Sequence, residues 1–210
     1  MIQKKPWYPV LYMFCVTAFF STVVIGFTSL TRERVQTNQR LALERAVLSV
    51  LPGMYDEGLS RVELHRRFTE SVVSPEESSG GAYTLKEAGR ITAYAVPISG
   101  RGFWAPIKGI IGIQADKKTI TGIAFYEQNE TPGLGAEITE KPFRSQFQGK
   151  EISSGAEPIR MRRPGETLGK SEVHAVTGAT QTSTRVERII NGALKDWQAA
   201  MSDKGRGDER

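Results

Sequence analysis

The sequence predicts an α+β domain behind a single transmembrane helix, and three observations lead to this prediction. Residues 7–30 contain no charged side chain. Three runs rich in β-branched and aromatic residues then follow in the middle of the chain, at 91–98, 107–114 and 119–127. Near the C-terminus, apolar residues recur at helical spacing over 186–197. Helices and strands segregated in this way are typical of one α+β domain with an antiparallel or mixed sheet.

The uncharged stretch is long enough to cross a bilayer, whose hydrocarbon core takes about 20 apolar residues. Trp7, Tyr8 and Tyr12 lie at its start, and aromatic side chains are enriched where a span meets the membrane surface. The alternative is a cleaved signal peptide, but its apolar core is usually about 7–15 residues long and is followed by small residues. We therefore expect residues 1–31 to form an uncleaved N-terminal segment and anchor.

Composition excludes two classes of function. The net charge is +5, from 28 Lys and Arg against 23 Asp and Glu, and the charges are interspersed. A nucleic-acid-binding protein usually concentrates its basic residues in a patch or stripe, so we expect no nucleic-acid partner. One cysteine and two histidines, far apart in the sequence, give no metal-ligand pattern. We expect no metal site built from protein ligands alone.

The domain is expected to cover residues 32–201, and the charged residues 202–210 are expected to form a disordered tail. A helix is predicted over 32–51, because its apolar residues form a partial stripe and a Pro-Gly pair follows. A weaker helix is predicted over 60–71.

The strand runs 107–114 and 119–127 are separated by only four residues, and this spacing predicts a β-hairpin. Residues 136–148 are expected to form a short helix that a proline interrupts. Residues 153–170 contain prolines and glycines and are expected to form a loop.

A loop rich in glycine and hydroxyl groups, HAVTGATQTS at 174–183, immediately precedes the last predicted helix. Helix N-termini expose unpaired N–H groups and carry partial positive charge, so they bind phosphate. Gly178 and Ala179 leave room for an anion to approach the backbone. Ser and Thr are also common helix caps. On the residues alone, a phosphate site and a simple cap both remain open.

Three motifs in the chain resemble those of the FMN-binding domain family, which includes the C subunit of the sodium-translocating NADH:quinone oxidoreductase and the G subunit of the Rnf electron-transport complex. VTGATQTS, at 176–183, is similar to the flavin-attachment motif of the family. ETPGLG, at 130–135, resembles a segment of both proteins. GRGFW, at 100–104, is similar to a segment before the hairpin of the oxidoreductase protein. The acidic residue that normally opens the attachment motif corresponds here to His174.

The resemblance implies an FMN held covalently by a phosphoester bond to Thr180. It also implies that two groups of residues surround the cofactor. The residues expected around the phosphate are Thr177, Gly178, Ala179, Thr182 and Ser183. The residues expected against the flavin ring are Glu130, Thr131, Gly133, Leu134, Gly135 and Trp104. A plain turn at the Pro-Gly pair within ETPGLG is compatible with that role. No catalytic residue is expected.

The function implied is that of a membrane-anchored electron-carrier subunit in an Rnf- or Nqr-type ion-translocating complex. Its expected partners are the membrane, other membrane subunits and a flavin transferase. No acid–base pair or nucleophile arrangement is visible, so we expect a carrier rather than an enzyme acting alone. Two alternatives stay open: a flavin-free binding or assembly subunit, and a free-standing anchored flavin reductase.

The family places this domain on the periplasmic side of the inner membrane, behind a single span. The charges beside the span indicate the opposite, because the four arginines between residues 32 and 45 outnumber the two lysines before it. By the positive-inside rule, the side with more Lys and Arg lies in the cytoplasm. We adopt the periplasmic location as the expectation.

Overall fold

The computed structural model describes residues 7–207, with side chains up to residue 202. The chain divides into two compact units, Met1–Arg40 and Leu41–Arg210. The helices of the described residues are α1 (Tyr8–Val50), α2 (Arg61–Ser71), α3 (Lys141–Arg144) and α4 (Thr180–Gly207). The strands are β1 (Val72–Val73), β2 (Tyr83–Glu87), β3 (Arg90–Arg101), β4 (Pro106–Gln114), β5 (Ile120–Glu127), β6 (Arg160–Arg162) and β7 (Glu172–His174).

The first unit holds the N-terminal part of α1, which continues without a break to Val50. Among the described residues, α1 is the helix whose length and composition suit a membrane span. Its most apolar 18-residue window has a mean hydropathy of 2.1, and none of that window is buried among the described residues. The predicted span and the helix predicted over 32–51 are therefore one helix. It ends just before Pro52-Gly53, as the sequence predicts.

The second unit is built on a five-stranded antiparallel sheet in the order β1-β2-β3-β4-β5. Each strand pairs with its neighbour in sequence, so the sheet is a simple meander. The three predicted strand runs are β3, β4 and β5, and the predicted hairpin joins β4 to β5. The α+β class with an antiparallel sheet is confirmed.

The sheet buries apolar side chains on both faces, because successive residues of a strand point to opposite sides. On one face Tyr94, Val96 and Ile98 of β3 pack in the same core as Val186 and Ile190 of α4. On the other face the small side chains Ala93 and Ala95 pack against the C-terminal end of α1. Because side chains alternate along β3, α4 packs on one face of the sheet and the end of α1 packs on the other.

Two predictions between β5 and α4 are wrong. The single helix expected over 136–148 is divided into α3 and two flanking 3₁₀ turns. Pro142 lies in the first turn of α3. N–H groups in the first turn of a helix have no intrahelical acceptor, so a proline there costs no hydrogen bond. Pro142 therefore lies at the start of a helix rather than interrupting one. The loop expected over 153–170 contains β6, which pairs in parallel with β7. This pair is too short to leave a periodic pattern.

Helix α4 extends to Gly207, into the segment predicted as a tail. No proline interrupts the sequence there to end the helix earlier. Residues 208–210 lie outside the described residues. The disorder of the tail and the domain bounds 32–201 stay predictions.

Candidate functional site

The TGAT loop forms a tight turn that leads into α4. The Ala179 N–H donates to the Val176 carbonyl at 3.2 Å, and Gly178 between them has a φ of +75°. That left-handed conformation favours glycine because it has no Cβ. Helix α4 then begins at Thr180, whose side chain is exposed.

The first turn of α4 presents main-chain donors to the surface of the domain. The first helical bond runs from the Ser183 N–H to the Ala179 carbonyl at 2.9 Å. The N–H groups of Thr180, Gln181 and Thr182 precede this bond, and no described residue accepts from them. This arrangement is the usual one at a helix N-terminus, where free N–H groups and the helix dipole favour an anion.

The ETPGLG segment forms a second turn facing the first. The Thr131 carbonyl accepts hydrogen bonds from the N–H groups of Leu134 and Ala136, both at 3.1 Å. Pro132 occupies the second position of this turn and Gly133, with a φ of +72°, the third. The positive φ at the third position is the mark of a type II turn. The Pro-Gly turn that the sequence predicts is present.

Glu130 ties three segments of the chain together from a buried position. Its Oε1 atom accepts hydrogen bonds from the N–H groups of Phe103 and Trp104 at 2.8 and 3.2 Å. Its Oε2 atom accepts from the Thr182 hydroxyl at 2.7 Å. The side chain therefore joins the GRGFW segment, the ETPGLG turn and the first turn of α4. Contact of Glu130 with a flavin ring stays a prediction.

Two glycines allow the Glu130 carboxylate to occupy this position. A Cβ added to Gly102 would lie 2.5 Å from Oε1 of Glu130. A Cβ added to Gly135 would lie 2.6 Å from Oγ1 of Thr182 and 2.9 Å from Cβ of Glu130. The second glycine of GRG and the second glycine of GLG are thus explained by close packing around one buried carboxylate.

The three segments surround a cavity of about 260 Å³. It is lined by residues of the two turns, the start of α4 and one aromatic ring. These are Phe103, Glu130, Thr131, Leu134, Gly135, Gly178, Ala179, Thr180, Gln181 and Thr182. Most of the site residues predicted from the sequence are therefore brought together. Phe103 and Gln181 are additional, and both lie inside motifs that the resemblance had already singled out.

Four predicted site residues lie around the cavity rather than in its lining. Thr177 and Gly133 line a neighbouring cavity of about 350 Å³. Ser183 is buried, and its hydroxyl accepts a hydrogen bond from the Val176 N–H at 3.1 Å, which fixes the loop. Trp104 lies at the rim, where its indole N–H donates to the Thr131 hydroxyl at 3.1 Å.

His174, which takes the place of the acidic residue in the family motif, does not line the cavity. Its Nε2 atom lies 2.8 Å from the main-chain carbonyl oxygen of Glu166. Its main-chain N–H donates to the Gln146 side chain at 2.8 Å. The residue is therefore engaged with neighbouring loops rather than with Thr180.

The rim of the cavity is an exposed apolar surface. Among the described residues after Arg40, four large hydrophobic side chains are exposed, and they are Val62, Phe103, Trp104 and Leu134. The last three lie together at this site, and the rings of Phe103 and Trp104 meet edge to face with centroids 5.0 Å apart. Clustered exposed apolar groups mark a binding surface.

The site fits a ligand with an anionic end and a flat aromatic end, as FMN has. The free N–H groups of α4 suit the phosphate, and the apolar rim suits the ring. Cavities that bury a whole ligand usually measure about 300–1,000 Å³. Because this cavity is smaller, it suits one end of FMN, with the remainder lying over the exposed rim.

Comparison with known proteins agrees with this assignment. Residues 102–195 match the model of the FMN-binding domain family. The chain is 37% identical over 124 residues to the C subunit of the Na(+)-translocating NADH-quinone reductase of Chlamydia pneumoniae, covering 57% of this chain and 39% of that protein. It is 34% identical over 122 residues to the corresponding protein of Vibrio anguillarum, covering 57% and 48%. The chain thus spans less than half the length of these curated relatives.

Two crystal structures share the fold. The C subunit of the Na(+)-translocating NADH-quinone reductase from Parabacteroides distasonis superposes with a TM-score of 0.64 at 23% identity, covering 81% of this chain and 94% of that one. NqrC from Shewanella oneidensis superposes with a TM-score of 0.67 at 21% identity, covering 80% and 98%. The resemblance to the FMN-binding domain family that the sequence motifs indicate is therefore confirmed over residues 102–195.

Proposed function

We propose that this chain is a membrane-anchored flavoprotein subunit of an Rnf- or Nqr-type ion-translocating electron-transport complex. In this proposal it carries electrons on an FMN joined covalently to Thr180 by a phosphoester bond. One observation carries the proposal: Thr180 is the exposed first residue of α4 and lines a cavity shared by the TGAT and ETPGLG turns. The FMN supplies the one- and two-electron chemistry when it is bound.

The residues of the chain have the roles of holding the cofactor and shaping its surroundings. The free N–H groups at the start of α4 would stabilise the negative charge of the phosphodiester. Gly178 allows the loop to pack closely against Leu134, since a Cβ added there would lie 3.1 Å from the Leu134 Cδ2 atom. Leu134 and Phe103 would cover apolar surface of the flavin and limit its contact with water.

The proposal of a complex with other subunits is supported by the names of the relatives. These carry the name of one subunit of a Na(+)-translocating NADH-quinone reductase, which supports a multi-subunit assembly here. On that support we propose other membrane subunits as partners. We propose a flavin transferase as a further partner because the 176–183 motif resembles the flavin-attachment motif of the family. A single membrane pass and a periplasmic domain belong to the same proposal.

The covalent bond is tested by the intact mass of the full chain after co-expression with a flavin transferase. We expect the wild-type chain to gain the mass of one FMN less one water, and Thr180→Val to gain nothing. Thr69→Val is the control, because Thr69 is an exposed threonine of α2 that lies outside the attachment motif. It should gain the same mass as the wild type.

Two other results would reject the proposal in different ways. If the wild-type chain is folded and gains no mass, while the transferase modifies a control substrate, the chain is a flavin-free binding or assembly subunit. If Thr180→Val gains the full mass, the flavin is attached at another residue.

The carrier role is tested separately from attachment. We expect the flavin-loaded chain to co-purify with multispan membrane subunits and to show no sustained turnover when an artificial electron donor and a soluble acceptor are added. Sustained turnover by the chain alone, without co-purifying subunits, would identify it as a free-standing flavin reductase.

A further inference from the structure

Strand β3 is longer than β2, which pairs with one of its two edges. β2 pairs with β3 from Glu87↔Arg90 to Tyr83↔Ala95, whereas β4 pairs with it as far as Arg101↔Pro106. The chain before β2 turns away at Gly80 and Gly81, which have φ values of +63° and +79°. Among the described residues, no strand therefore pairs with the second edge of β3 over residues 96–101.

The alternation of main-chain groups shows which residues face this open edge. The Ala115 N–H donates to the Thr92 carbonyl at 3.1 Å, and the Gly102 N–H donates to the Ala105 carbonyl at 2.9 Å. The register between β3 and β4 has no shift, so the even-numbered residues of β3 direct their main-chain groups towards β4. The odd-numbered residues face the other way. Beyond Ala95 these are Pro97, Ser99 and Arg101.

These main-chain groups are exposed and unsatisfied. Pro97, Ser99 and Arg101 are all exposed, and no described residue hydrogen-bonds to their main chain on this edge. Pro97 offers only its carbonyl, because proline has no N–H. Ser99 and Arg101 each offer both a donor and an acceptor. An open edge of this kind is a template for an added strand.

The open edge borders a groove of about 590 Å³ between β3 and α4. Three arginines line this groove, Arg101, Arg185 and Arg188, against one acidic residue, Asp196. Among the side chains described up to residue 202, none of these four groups forms an ion pair. The groove thus combines unpaired main-chain groups with an excess of unpaired positive charge.

The groove continues towards the candidate cofactor site. The guanidinium carbon of Arg185 lies 5.8 Å from the centroid of the Phe103 ring, which lines the cavity beside Thr180. Arg185 also lines the groove. A segment bound in the groove would therefore lie next to the Thr180 cavity.

We propose that the β3–α4 groove binds an extended, acidic segment of a partner polypeptide, which pairs as an additional strand with β3 at Ser99 and Arg101. Strand addition takes its affinity from main-chain hydrogen bonds and its specificity from neighbouring side chains, here the arginines. The edge accommodates about five residues at about 3.3 Å each. The missing N–H of Pro97 limits how far the pairing extends. This inference does not depend on the flavin.

The test uses the full chain in detergent at low salt and three fluorescent ten-residue probe peptides. One peptide alternates Glu and Val, the second alternates Lys and Val, and the third is the Glu-Val peptide with methylated main-chain amides. Fluorescence anisotropy should show binding of the Glu-Val peptide. Binding of the other two should be weaker by about tenfold or more, since one loses charge complementarity and the other loses strand pairing.

Two pairs of variants locate the binding on the protein. Ser99→Pro removes the N–H at the open edge, where Pro97 is already accommodated, and should weaken binding about tenfold. Ser99→Ala keeps that N–H and should bind like the wild type. Arg188→Glu should abolish binding, and Arg163→Glu, at an exposed arginine outside the groove, should not. Hydrogen exchange at residues 97–101 should slow when the Glu-Val peptide binds.

The proposal is overturned if the wild-type chain does not bind the Glu-Val peptide, or binds the Lys-Val peptide equally well. If Arg188→Glu abolishes binding while the methylated peptide binds as tightly as the unmodified one, the groove attracts anions by charge alone and strand pairing is rejected. The methylated peptide tests pairing on the unmodified protein, so a folding defect in Ser99→Pro does not decide the result.

Discussion

At the scale of single residues, the candidate site depends on one buried carboxylate. A buried charged group is costly unless it is hydrogen-bonded, and Glu130 accepts from two main-chain N–H groups and one hydroxyl. The motifs GRGFW and ETPGLG and the start of α4 are far apart in sequence. Glu130 connects all three by hydrogen bonds, which explains physically why these motifs occur together in one chain.

Removing this carboxylate should destabilise the domain. Glu130→Ala leaves the N–H groups of Phe103 and Trp104 and the Thr182 hydroxyl without their partner, and we expect the free energy of unfolding to fall by about 3 kcal/mol. Glu140→Ala is the control, because Glu140 is exposed and its side chain makes no capping bond. Urea denaturation of both variants measures the difference. Equal, small losses would contradict the role assigned to Glu130.

The packing around Glu130 gives a second prediction. Gly135→Ala places a Cβ against Thr182 and Glu130, and overpacking of this kind usually costs about 1–3 kcal/mol. Gly155→Ala is the matched control, because its nearest neighbour would be the Ser153 hydroxyl at 3.4 Å. Denaturation curves should show the loss at position 135 and little change at 155. A neutral Gly135→Ala would show that the two turns are less tightly packed than the structure indicates.

The ion pair between Arg162 of β6 and Glu172 of β7 should make the stability of the domain depend on pH. The hydrogen bond from Arg162, at 2.6 Å, is the main cause that lowers the pKa of Glu172 below its ordinary value, and the Gly169 N–H adds to it. A lowered folded-state pKa stabilises the protein above the unfolded-state pKa, and the effect is lost as pH falls through the folded value.

This dependence is checked by thermal unfolding of wild type and Glu172→Gln between neutral and acidic pH. Glu172→Gln should unfold at a lower temperature near neutral pH. The difference should shrink as the pH falls below about 4.3, the ordinary pKa of Glu. A difference that is constant with pH would show that Glu172 contributes through its shape rather than its charge.

At the scale of elements, the contact between β3 and α4 supports both the candidate cofactor site and the arginine-lined groove. Gly100→Ala would place a Cβ 2.5 Å from the Ile189 side chain and should cost about 1–3 kcal/mol of unfolding free energy. Gly192→Ala on α4 meets nothing within 4 Å and should stabilise by about 0.5–1 kcal/mol, since Gly is a poor helix former. Denaturation measurements with the same sign for both substitutions would contradict this packing.

Prediction from sequence succeeds for elements with a long pattern and fails for short ones. The strands β3 to β5 are visible in the sequence as long runs rich in β-branched and aromatic residues, and helix α4 is visible because its apolar residues recur at helical spacing. β1 and β6 have two and three residues, which is too few for any period to show. Their pairing partners lie on other segments, so their existence depends on tertiary contacts.

At the scale of the whole molecule, two arguments oppose each other on the side of the membrane where the domain lies. The family resemblance implies the periplasm, while the arginines that follow the span favour the cytoplasm. We expect protease added outside spheroplasts to cleave the domain, because the proposed partner subunits would also constrain its orientation. Cleavage after osmotic lysis is the control for access. Full protection before lysis, followed by cleavage after it, would place the domain in the cytoplasm.

The sequence by itself determined the apolar span, the main strands, the last helix and the motifs that indicate an FMN-binding domain. These features are local, because each is written in a continuous run of residues whose spacing or identity is sufficient to recognise it. Only the tertiary structure decided that the Glu130 carboxylate is buried and joins three segments, that Phe103 lies at the rim of the site, and that β3 has an open edge beside three arginines. Each of these depends on which distant segments meet, and a buried carboxylate or an unpaired strand edge is defined only by what lies next to it.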